Sequence, residues 1–184
     1  MASKVLFITA RKLKENTTID SNVDDDLLVP YILKSQDIHI HQTLGTDLYN
    51  LLKTQVSGAT LTVPNTTLLE DYIQPALIEW ALYESLPFIA LKLNNKTLGR
   101  NNGEFLEAGS LEDLKYIRNA SRDLAEFYTQ RIIGFIKENI NDYPTYHTNT
   151  GLDKIVPNSS SYFGGIYLGN GRSKDCDFGL DLPR

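Results

Sequence analysis

The sequence predicts an all-α protein, a bundle of four to five helices that carries a projecting loop or β-hairpin and an extended C-terminal tail. Three observations lead there. Apolar residues recur at three- and four-residue spacing through residues 69–86 and again through 114–136, the period of helices buried along one face. Helix starts with Asp, Asn or Ser and stops with Gly or Pro punctuate those runs. Beyond residue 145 the composition shifts to Gly, Ser, Asn and Asp, with too few apolar residues for a core of its own.

Residues 1–22 read as an N-terminal arm, extended, with a short strand at residues 5–8; Thr17, Thr18, Ser21 and Asn22 are cap and turn formers. The helical domain, residues 23–144, then opens near Asn22 or Val23. Asp24, Asp25 and Asp26 fall in its first turn, where carboxylates meet unpaired N–H groups at the positive end of the helix dipole. Three consecutive carboxylates point in three directions on a helix, which disfavours a shared metal. Pro30 either kinks this helix or marks a later start, and Leu28, Tyr31, Ile32, Ser35 and Ile38 share a face. Gly45 is a left-handed stop, after which Leu48, Leu51, Leu52 and Val56 form a second, short amphipathic helix.

Residues 57–64 read as a loop, and residues 65–67 as caps for a long central helix bearing Leu69, Ile73, Leu77 and Trp80, interrupted at Pro75 and Pro87. Residues 94–109 form the projecting element. Its Asn102-Gly103 pair signals a tight hairpin turn, and a plain loop is the other reading. Ser110 caps a last helix of about thirty residues, whose face reads as Leu114, Ile117, Ser121, Leu124, Phe127 and Tyr128, continuing to Ile132 and Ile136 and stopping at Pro144. The tail, residues 145–184, confines its apolar residues to Ile155-Val156, Tyr162-Phe163 and Ile166-Tyr167-Leu168. Such clusters suit a segment that orders by docking on a partner, for example by adding a strand through Gly165 and Leu168, or one that wraps its own subunit.

The 184 residues, 41% hydrophobic and 22% charged, fit one soluble domain with an appendage. A net charge of -5 argues against gripping nucleic acid, because that affinity comes from cations displacing counterions. The single Cys176 lies between Asp175 and Asp177, which disfavour its thiolate, and no export signal or membrane span is evident. Catalytic and metal residues are none, and no cofactor is implied. His39 and His41 sit two apart, about 200° round a helix, and cannot chelate one ion from it. His147 stands alone. No phosphate loop, nucleophile elbow or Rossmann fingerprint is present. Glu79 with Glu84, and Glu104 with Glu107, are spaced as solvated helix or loop charges rather than as an acid and base pair.

Several stretches carry a family likeness. They are residues 22–30, Gln36, Leu44-Gly45-Thr46-Asp47-Leu48-Tyr49, residues 128–136, and Asp142-Tyr143-Pro144-Thr145-Tyr146. With them the chain resembles the small helical head-to-tail connector proteins of tailed bacteriophages, also called adaptor or ring proteins, over roughly residues 5–147. The resemblance implies a non-enzymatic structural protein of the virion neck. It would form a ring, usually of twelve subunits, beneath the portal protein, with genomic DNA passing through the lumen without sequence-specific contact. It also implies that Arg100, Asn101, Asn102, Gly103, Glu104 and Phe105 belong to a channel or inter-subunit loop. The tail residues Ile155, Val156, Tyr162, Phe163, Ile166, Tyr167 and Leu168 would dock on the portal, a neighbouring subunit or the next ring towards the tail. No membrane is involved. A different class of reading is a monomeric or dimeric helical binding or regulatory module of phage origin, and a carboxylate-based hydrolase is the third.

Overall fold

The computed structural model describes residues 4–93, 98–100, 111–148, 150, 153 and 155–157. The fold is all-α. The first helix, α1 (Ala10–Asn16), lies inside the segment expected to be an extended arm. Thr9 makes the difference: its side chain accepts from the Lys12 N–H at 3.1 Å, capping a turn that buries Ala10 and Leu13 beside Phe7 and Ile8. Residues 5–8 are not a strand. Two glutamine side chains satisfy their backbone instead: Gln36 accepts from the Phe7 N–H at 3.0 Å and donates to the Val5 carbonyl at 3.1 Å, and Gln74 donates to the Phe7 carbonyl at 2.9 Å.

Helix α2 (Asp25–Ser35) starts later than Asn22 or Val23, at the acidic run itself, with Asp25 and Asp26 in its first turn. Pro30 sits inside it. A π-helical turn (Gln36–Ile40) joins α2 directly to α3 (His41–Leu44). The wider turn shifts the register of the buried face: Leu28, Ile32, Ser35, Gln36 and Ile40 are buried, whereas Ile38, expected inside, is 39% exposed. Gly45 ends α3 with φ 76° and ψ 163°, a positive φ but an extended ψ rather than a left-handed helical one. Its N–H donates to His41 O at 2.9 Å and its carbonyl accepts from Tyr49 N–H at 3.1 Å, so one residue closes α3 and opens α4 (Thr46–Gly58).

Ala59, at φ 52°, terminates α4. Helix α5 (Val63–Thr67) begins before the expected caps, with Thr62 at the N-cap and Pro64 in the first turn. A second π-helical segment (Leu68–Ile73) leads into α6 (Gln74–Ala90) without a break. It lies just ahead of Pro75, which lacks the N–H an α-helix needs there, so a local widening relieves the interruption expected at that proline. Pro87 stays within α6. Helix α6 is the centre of the molecule, packed against α2 and α7 (Leu111–Glu138). Its Ile73-side end and its Ala76, Leu77 and Ala81 are fully enclosed, each buried Leu or Ile being worth about 1.5–3 kcal/mol relative to exposure. Two polar contacts fix the layers: Trp80 Nε1 donates to Thr129 Oγ1 at 3.0 Å, and Ser35 Oγ donates to the Trp80 carbonyl at 3.1 Å.

Strands β1 (Leu91–Leu93) and β2 (Leu98–Arg100) pair antiparallel, Lys92 opposite Gly99. This ladder lies ahead of Asn102-Gly103, which fall outside the described residues. After α7, two 3-10 turns (Ile140–Asp142 and Pro144–Tyr146) fold back so that the buried Tyr143 donates through its hydroxyl to the Pro64 carbonyl at 2.7 Å. Burial, aided by Asp142, pushes that phenol up to about 12.

Candidate functional site

The titratable groups that could carry chemistry are built into the packing. His39, on the first π turn, lies flat on Trp80 with centroids 3.6 Å apart and planes 5° from parallel. Its Nε2 is 3.4 Å from Glu84, whose other oxygen takes Lys34 at 2.6 Å. Burial lowers the His39 pKa more than Glu84 raises it. Burial alone would raise the Glu84 carboxyl, but the hydrogen bonds from Lys34 and His39 outweigh it and hold the carboxyl below its usual value. His41 faces elsewhere, stacked on Tyr49 at 4.4 Å and paired with Thr46 Oγ1 at 3.1 Å. The Tyr49 hydroxyl donates to Asp37 at 2.6 Å and accepts from the buried Gln36 at 3.0 Å, and burial holds its pKa above the usual value. Among the described residues no three His, Cys, Asp or Glu side chains converge as a metal site.

Glu79 is separate from Glu84. It lines a shallow groove between α1, α6 and α7 with Glu70, Gln74, Lys12 and Tyr128, and burial raises its pKa. Lys12 is turned to Gln74, to which it donates a hydrogen bond.

The start of the tail forms a strap against its own subunit, through Thr148, Thr150 and residues 155–157. Asp47, in the first turn of α4, accepts from Thr148 Oγ1 at 2.7 Å, from the Thr150 N–H at 3.0 Å and from Thr150 Oγ1 at 2.9 Å. Ile155 O then accepts from the Thr46 N–H at 3.2 Å. Pro157 fills the space where a side chain on Gly45 would stand. Of the expected docking residues, Ile155 is therefore tied through its backbone to the α3–α4 corner, and Val156 is 65% exposed. Tyr162, Phe163, Ile166, Tyr167 and Leu168 lie outside the described residues. In the projecting element, Arg100 pairs with Leu91 in the ladder, and Asn101, Asn102, Gly103, Glu104 and Phe105 lie outside the described residues. Nothing along the chain marked Asp47 as an anchor, since a carboxylate in a first helical turn is already accounted for by the dipole.

Helix α7 presents a second apolar face. Its core side is Ser121, Ala125, Thr129, Ile132 and Ile136, all buried. Ile117, Leu124 and Phe127, expected on that side, are 44%, 49% and 58% exposed, and Tyr116 is 77% exposed. With the exposed Ala120, the positions 117, 120, 124 and 127 repeat at intervals of three, four and three, the seam spacing of helices that pack on another helix. That seam lies roughly a third of the circumference from the core face. No helix among the described residues is long and apolar enough to cross a membrane.

No curated protein and no solved structure matches the chain. A family model, described as a family of unknown function (DUF6712), matches residues 40–155, from the last residue of the first π turn through the Gly45 corner to the strap residue that meets Thr46. The match spans well over half of the sequence, and the chain belongs to that DUF6712 family.

Proposed function

We propose that this protein is a structural subunit of a tailed-phage neck. Copies assemble into a ring beneath the portal, join capsid to tail and leave a channel for the genome. The observation that carries the reading is the second apolar face of α7. A 28-residue helix that buries one side in its own core and shows Tyr116, Ile117, Leu124 and Phe127 on another is shaped for packing between subunits. Two further features support it. His39, His41, Tyr49 and Glu84 are engaged in stacking and hydrogen bonds within the bundle, as expected for a scaffold, and the net charge of -5 suits a lumen past which DNA slides rather than one that holds it. The connector-type arrangement of the bundle, the projecting element at 94–109 and the docking tail belong to the same proposal.

The tail's role has a direct test. A chain ending at His147 keeps the buried Tyr146 and removes the strap together with everything beyond it. The proposal expects a folded protein that no longer co-sediments with the portal. Undiminished portal binding by the shortened chain would remove the docking role from the tail. The groove containing Glu79 is the observation that favours the second reading, a helical binding module acting as a monomer or dimer.

A further inference from the structure

The seam on α7 matches itself when one copy is run against another in the opposite direction. The alternation of three and four that links residues 117, 120, 124 and 127 continues to Asp113 at one end and to Arg131 at the other, both exposed. At 3.6 residues per turn Asp113 and Arg131 stand on one line along the helix, about 27 Å apart, and Ile117, Ala120, Leu124 and Phe127 lie between them within about 40° of that line. The seam is therefore acidic at its start, apolar through its middle and basic at its end. Other charges of this stretch stay out of it. Lys115 and Arg122 project from roughly the opposite side of the helix, and Asp123, on the flank, is paired with Arg122 at 3.0 Å. Arg131 rests against the rings of Tyr72 and Tyr128, 5.3 Å and 5.8 Å from their centroids, and these contacts leave its charge in place.

We infer that, in the absence of the portal, two copies of the chain pair through this seam, antiparallel and about a two-fold axis. One register sets Asp113 against Arg131 of the second copy, Ile117 against its Phe127 and Ala120 against its Leu124, and the axis makes each contact occur twice. Apolar residues meet apolar residues and each end carries an ion pair. The small Ala120 opposite Leu124 lets the helices approach at the centre. A parallel pair would instead set Asp113 on Asp113 and Arg131 on Arg131, like charge on like. That agreement of charge with apolar position in a single register selects a second copy as what covers the exposed Ile117, Leu124 and Phe127. A two-fold contact closes as a dimer and grows no further. The pair is thus a form of the free protein, and a ring on the portal has to open it or close through other faces.

The test uses full-length chains altered at exposed positions of the seam, with circular dichroism to check that each keeps the wild-type helix content. Sedimentation equilibrium of the wild type without portal should give a dimer; a monomer, or a ring with no dimer, overturns the pair. Leu124→Glu should weaken association about tenfold or more, and an unchanged dimer would place the contact elsewhere. Asp113→Arg and Arg131→Asp, taken singly, each turn both end contacts from attraction to repulsion and should weaken the dimer about tenfold, whereas the two together restore the pairing with its sign reversed. A double variant no tighter than the single ones refutes the antiparallel register. Mixing with the portal separates this contact from the ring reading: a wild-type dimer that ignores the portal supports the pair and overturns the ring, and a wild-type monomer that forms rings on the portal does the reverse.

Discussion

Replacing Gly45 by alanine tests the corner on which α3, α4 and the strap meet. At φ 76° and ψ 163° the backbone occupies a region that non-glycine residues avoid, at a cost of about 1–3 kcal/mol. A Cβ there would also lie 2.7 Å and 2.8 Å from two ring carbons of Pro157, closer than carbon atoms approach. Pro157 belongs to the strap and can move, but moving it breaks the bond from Thr46 N–H to Ile155 O, worth a net of about 0.5–1.5 kcal/mol. The two terms together make Gly45→Ala roughly 2–4 kcal/mol destabilising in the full chain. In a chain ending at His147 the clash is gone and only the backbone term of about 1–3 kcal/mol remains. Urea titration of the four proteins, followed by the fluorescence of the single Trp80 and by circular dichroism, measures both costs. The reasoning fails if Gly45→Ala costs less than about 0.5 kcal/mol in the full chain, or if its cost is the same in both backgrounds.

Three more outcomes follow from the site geometry. Thr129→Val leaves the buried Trp80 N–H without its acceptor and should cost about 1–3 kcal/mol by urea titration, with a shifted Trp emission; an unchanged midpoint would contradict the contact. His39 has its pKa lowered by burial, so the unfolded chain binds the proton first as pH falls through about 6.5, and stability should drop below that value. His39→Phe should flatten this part of the pH profile, and a profile identical to the wild type would remove His39 as its source. Glu79 has its pKa raised, so its ionised form opposes folding at neutral pH. Glu79→Gln should raise the melting temperature at pH 7, with the gain shrinking as the pH falls through the carboxylate range; a loss at pH 7 would show that Glu79 has a stabilising partner.

The elements that were legible in the sequence are those with long, regular patterns. Leu28 and Ile32, Leu48 and Leu52, and Leu69 to Ala81 lie on the faces their spacing indicates, because a core face repeats and a repeat can be read. What escaped has local causes. The two π-helical turns change the period by one residue, which is why Ile38 left the face that its spacing assigned to it. The helix at residues 10–16 was hidden because its cap, Thr9, sits beside a short apolar run that looks like a strand, and the partners that satisfy this run, Gln36 and Gln74, are distant in sequence. On α7 the periodicity was real but served two faces: Ile117, Leu124 and Phe127 carry the same spacing signal as core residues and face outward. Spacing shows that a residue is meant to be covered, without showing whether its own chain or another covers it. The strap was illegible because Asp47, Thr148 and Thr150 are joined by tertiary hydrogen bonds that leave no pattern along the chain.

The most direct test of the central claim is the mass and negative-stain appearance of the purified protein, alone and mixed with its candidate portal protein. Rings of about twelve copies in either sample are the predicted result. A uniform monomer that leaves the portal unbound would contradict the connector account.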